Sequence, residues 1–136
     1  MIRFPTAQEV GRLNERLAAA AGRETGLRDG DLLRAVLLGA RISRSGSEAH
    51  EVSTFQRAAD LFHHLVTARP FVGLNAATGL GVALLYLSRH GHEIELAKGQ
   101  AAALVDGARS GSMDLGRVAS LLELRTVARS DVASRS

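Results

Sequence analysis

Residues 75–90, NAATGLGVALLYLSRH, are apolar on almost every side. A helix of that kind has no face to give to water, so other elements must surround it. It is also shorter than the roughly 20 apolar residues of a membrane span. The segments around it supply the cover. Thr6 followed by Glu9 reads as a capping box, and Val10, Leu13, Leu17 and Ala20 then form one apolar stripe ending near Gly22. Asp29 or Asp31 caps a second helix, LLRAVLLGARI, which is broadly apolar and expected to be well buried. RSGSE (44–48) reads as a turn, with Ser47 capping a third helix over about 48–68. In that helix Val52, Phe55, Ala59, Phe62 and Val66 step by three or four.

Two more helices follow the central one. One covers about 97–109, with Ala101, Leu104, Val105 and Ala108 inward. The other covers about 113–127, capped by Ser112, with Leu115, Val118 and Leu122 inward. HEIEL (92–96) alternates but is short and alone. The expectation is an all-α, compact single domain of about six helices over 1–127, with helix 75–90 at the centre. The tail 128–136 has little to bury and is expected to be flexible. Gly79 and Gly81 each cost the central helix about 1 kcal/mol of propensity, which the close approach of a neighbouring helix or a ligand would justify.

Composition narrows the function classes. The chain has 136 residues, 46% hydrophobic and 23% charged, with no cysteine. A disulfide framework and a thiolate metal site are therefore excluded. The five histidines, His50, His63, His64, His90 and His92, form no recognised ligand spacing, so no metal and no cofactor is expected. Of 17 basic residues, Lys98 is the one lysine. The arginines are scattered with no interleaved aromatics, which argues against nucleic acid as a partner. MIRFPTAQEV lacks the apolar core of a signal peptide, so a cytoplasmic protein without membrane contact is expected.

The stretch RPFVGLNAAT, 69–78, has the outline of a phosphate-handling loop entering a helix. Pro70 keeps Arg69 out of helical conformation, Gly73 permits a sharp bend, and Asn75 is placed to cap the central helix. Thr78 reads as a packing or back-bonding residue. The N–H groups of Ala76 and Ala77 would point out of the helix's positive end, and with Arg69, Asn75 and Thr78 they form a candidate site for weak anion binding.

LVTARPFVGLNAATGLGVALLYLSRHGHEI, with Phe71, Asn75, Thr78 and the closing Arg89-His90-Gly91, resembles the core of the Fic/Doc family, and the death-on-curing toxins in particular. The order of the other helices is similar too. The resemblance implies a Fic/Doc-like helical fold and transfer of a nucleotidyl or phosphoryl group to a protein hydroxyl. It also implies where this chain departs from the family. Arg69 stands at the position of the family's histidine base, Gly73 at that of the magnesium-binding acid, and Leu74 at that of a small residue. Ala76 and Ala77 replace the phosphate-holding Lys and Arg. Losing a general base costs about 10²–10⁴-fold, and losing a phosphoryl clamp a comparable factor.

The catalytic residue is therefore unknown, and the family transferase activity is expected to be lost. What remains is a protein- or peptide-binding module, a pseudoenzyme whose partner groove is bordered by Arg69, His63, Val72 and Leu74. Family members receive an antitoxin helix in a similar groove. The alternatives are an enzyme of this fold repurposed to a phosphorylated or peptide substrate, for example in a biosynthetic pathway, and a residual transferase.

Overall fold

A computed structural model of the protein describes residues 4–42 and 53–127. They form six helices: α1 (Ala7–Ala21), α2 (Gly30–Ile42), α3 (Thr54–Ala68), α4 (Asn75–Arg89), α5 (Lys98–Ser110) and α6 (Leu115–Leu124). Two short strands, β1 (Glu93–Ile94) and β2 (Thr126–Val127), pair antiparallel, with Glu93 opposite Val127 and Ile94 opposite Thr126. The fold is all-α and compact. Among the described residues no helix is long and apolar enough to cross a membrane. The proposed turn and cap at 44–48, Val52 and the tail 128–136 lie outside the described residues.

α4 is the central helix. α1, α3 and α5 pack around it, while α2 and α6 pack mainly against α3. Leu80, Val82, Ala83 and Leu87 are buried, and Leu84 is half-buried. The two glycines are explained by neighbours. A Cβ on Gly79 would stand 3.0 Å from the Phe62 ring and 3.2 Å from the Phe62 carbonyl, so α3 presses its backbone against α4 here. On Gly81 it would stand 2.8 Å from Leu13 Cδ2, the far end of a flexible side chain. The two positions should therefore respond differently to the same change. Gly79→Ala is expected to destabilise by about 1–3 kcal/mol, because a helix backbone cannot step aside. Gly81→Ala is expected to be nearly neutral, since propensity gained offsets a small shift of Leu13. Urea titration of both variants, with equal losses, would contradict the close α3–α4 crossing.

Local caps correct several sequence expectations. The Thr6–Glu9 capping box is present, and Asp29 caps α2 through the Leu32 N–H at 3.0 Å. α3, however, begins at Thr54, where Ser53 accepts from the Gln56 N–H, rather than near 48. α6 begins at Leu115 with Asp114 as its cap, not Ser112. Ser112 is engaged in closing α5, where its N–H reaches the Gly107 carbonyl beside left-handed Gly111. Leu115 accordingly sits at the helix mouth and is 37% exposed rather than inward. α6 stops at Leu124 because Thr126 and Val127 leave to pair with the HEIEL segment, which is not alone after all.

Two helices bury a different set of residues from the one expected. α2 is one-sided, with Leu33, Val36, Leu37 and Ala40 buried and Leu38 57% exposed. α1 buries Val10, Asn14 and Ala18, an i, i+4, i+8 ridge, whereas Ala20 is exposed. The ridge runs through an asparagine because that amide has partners elsewhere in the fold.

Candidate functional site

The loop between α3 and α4 is held from three directions. On its first side, the segment after α1 runs beside it. Phe71 and Leu27 form an isolated antiparallel bridge, the Val72 N–H donates to the Gly26 carbonyl at 2.8 Å, and the Arg28 N–H donates to the Pro70 carbonyl at 2.8 Å. The Arg28 guanidinium then turns back onto the end of α3. It donates to the Arg69 carbonyl at 2.9 and 2.6 Å and to the Ala68 carbonyl at 3.1 Å. Those are orphan carbonyls at a negative helix end, the place where a cation is most useful.

From below, Asn14 of α1 reaches up. Its Nδ2 donates to the Gly73 carbonyl and to the Thr78 hydroxyl, both at 3.0 Å. The Thr25 hydroxyl also donates to the Gly73 carbonyl and accepts from the Gly73 N–H, each at 3.2 Å. The third hold comes from α4 itself. Asn75 Oδ1 accepts from the Phe71 N–H and its Nδ2 donates to the Phe71 carbonyl, both at 2.9 Å.

Asn75 is thus not the cap that its place in the sequence suggested. Leu74 occupies the N-cap position, left-handed at φ 60°, and offers no side-chain bond to the helix. Asn75 is the first helical residue, buried, with its amide spent on closing the loop. Gly73 lies in the bend of the loop but is not left-handed. The left-handed residues of the loop are Arg69, at φ 53°, and Leu74. For non-glycine residues that conformation costs roughly 1–2 kcal/mol each, and the three sets of hydrogen bonds hold it in place. Arg69 caps α3 in the position where helices favour glycine. Arg69→Gly is therefore expected to raise stability by about 0.5–1 kcal/mol, measurable as a higher Tm. A lower Tm would show that the arginine side chain contributes more than its backbone costs.

Since Leu74 provides no cap, the N–H groups of Asn75, Ala76 and Ala77 have no acceptor among the described residues. They face a cleft of about 620 Å³ between the loop, α3 and α5. Arg69, Val72, Leu74, Asn75, Ala76 and Ala77 all line it, so the structure brings together most of the residues singled out in the sequence. Thr78 does not take part. It is fully buried behind the loop, where its hydroxyl accepts from Asn14. His63 is exposed on α3 and borders a second cleft of about 750 Å³, formed by α3, the end of α5 and the start of α6.

Sequence reasoning missed the first cleft's other contributors, Arg23 and the α5 residues Val105, Asp106 and Arg109. Arg23 lies over the loop, one guanidinium nitrogen 4.0 Å from where a Gly73 Cβ would stand. Neither Arg23 nor Arg69 is ion-paired with a described residue. Arg109 is 3.8 Å from Asp106, but both are largely exposed, and such a pair is worth little. Three arginines thus border the cleft against one carboxylate. Val66, Leu74, Ala76 and Val105 give it an apolar lining. Arg69 lines this cleft, and no histidine does. The chain matches no family model and no curated protein.

Proposed function

We propose that this protein is a catalytically degenerate Fic/Doc-like module that binds a protein or peptide through the cleft at the start of α4. One observation carries the reading. The cleft combines unpaired cations with an apolar lining and open helix N–H groups, yet it holds no histidine to take a proton and no acid at position 73. Arg69 presents a fork of N–H donors and no acceptor, so it serves as an anchor for negative charge and not as a base. Apolar surface rimmed by a cation suits a protein contact.

The test uses Arg69→Glu combined with Leu74→Asp. Arg69 is exposed and Leu74 half-buried, so the double variant is expected to keep its fold, which circular dichroism checks. Captured from extracts of the native host, the intact chain should retain a main partner that the variant loses. Identical partners on both would remove this cleft as the working surface.

A further inference from the structure

The arginines around the cleft at the start of α4 are not equally engaged. The Arg28 guanidinium is held by the carbonyls of Ala68 and Arg69. Arg109, on the α5 wall, faces the Asp106 carboxylate at 3.8 Å, so that wall is neutral. Arg23 and Arg69 have neither an ion pair nor a side-chain hydrogen bond with a described residue. Arg69 opens the loop and Arg23 lies over it, so the loop side of the cleft carries the excess positive charge. The apolar lining within a partner's reach is Val72, 66% exposed, with half-buried Val66, Leu74 and Val105.

Resting on the reading of this cleft as a protein- or peptide-binding surface, we infer that its partner presents an aspartate or glutamate carboxylate to Arg23 and Arg69. Charge complementarity selects the group. A carboxylate on the loop side gains charge-assisted hydrogen bonds from guanidinium forks that have no described partner to give up. A concave site with apolar walls focuses that field, so the pairing is worth more than an exposed surface ion pair. Asp106 lines the same cleft. A phosphate, with nearly twice the negative charge of a carboxylate, is repelled by it more strongly. The apolar lining receives the residues beside the acid, which a free anion lacks.

The test selects displayed random short peptides on the intact chain and measures an enriched peptide by fluorescence polarisation. Enriched sequences should be rich in Asp or Glu. Arg23 and Arg69 are both exposed, so Arg23→Gln with Arg69→Gln should keep the fold, which circular dichroism checks. Affinity should fall about tenfold on that double variant. Replacing the peptide's acid by its amide should give a similar fall, and the two changes together should do little more than either alone, as direct pairing requires. Losses that multiply instead would overturn the inference. Enriched peptides that lack an acid, yet are lost on Leu74→Asp, would overturn it while leaving a peptide-binding cleft intact. Peptides indifferent to Leu74→Asp as well, or no enrichment over the bare support, would bring down both readings. Tighter binding of the same peptide with phosphoserine in place of its acid would overturn the choice of a carboxylate. A random-sequence oligonucleotide that displaces the peptide with the same arginine dependence would also overturn it.

Discussion

Replacing Asn75 by alanine is expected to cost the fold about 2–4 kcal/mol. The amide satisfies both the N–H and the carbonyl of Phe71, and all three groups are buried. A buried backbone group left without a partner costs about 1–3 kcal/mol, and two are stranded here. The loop then has less to hold Arg69 and Leu74 left-handed. In thermal melting this corresponds to a fall in Tm of roughly 10 °C. Serine at the same position separates the two roles of this residue. As a helix cap, serine is as good as asparagine, and an ordinary cap is worth about 1 kcal/mol. As a clamp, a hydroxyl is too short to bond both groups of Phe71. Asn75→Ser should therefore be nearly as damaging as Asn75→Ala. A serine variant as stable as the natural protein would mean that capping is the whole role. Asn14→Ala and Thr78→Val share one hydrogen bond, so their costs should fall short of additivity in the double variant.

The difference between these two asparagines and the rest of the chain marks what a sequence shows. The central position of α4 was legible because a segment apolar on every side leaves no alternative, and its two glycines correctly signalled close neighbours. Thr6 and Glu9 were legible because a capping box is complete within one turn. Asn14 was not. Its partners lie 59 and 64 positions away, and a polar residue flanked by apolar ones reads as solvent-facing until its partners are known. For the same reason the α1 stripe took in the half-buried Leu13 and Leu17 but left out the buried Asn14 and Ala18. Asn75 misled in another way. An asparagine just before a helical run is so good a cap that its local chemistry hides the tertiary one. The loop end of the cleft was legible as the stretch 69–77, but Arg23 and Arg109 come from opposite ends of the chain and carry no local mark of belonging to it.

The largest functional effect expected is the absence of nucleotide chemistry. On the proposed Fic/Doc-like reading, Arg69, Gly73, Ala76 and Ala77 stand at the base, metal and phosphate positions, so three sources of rate are absent together. A base alone supplies about 10²–10⁴-fold, and a phosphoryl clamp several kcal/mol more. Because such groups act as a unit, the losses do not multiply, but the rate expected is still far below that of an intact site. The loop that would carry such groups is clamped by Asn14, Thr25 and Asn75. Returning His at 69, Asp at 73, Lys at 76 and Arg at 77 is therefore expected to restore measurable magnesium–ATP binding. A restored chain that folds but shows none would indicate that the loop does not hold the family's geometry.

The central claim is that the cleft at the start of α4 offers cations and open helix N–H groups to a partner but lacks the base and the acid that nucleotide transfer needs. Calorimetric titration of the natural chain with magnesium–ATP tests it most directly. The account predicts no saturable heat at micromolar nucleotide. A micromolar dissociation constant would contradict it and return the cleft to nucleotide chemistry.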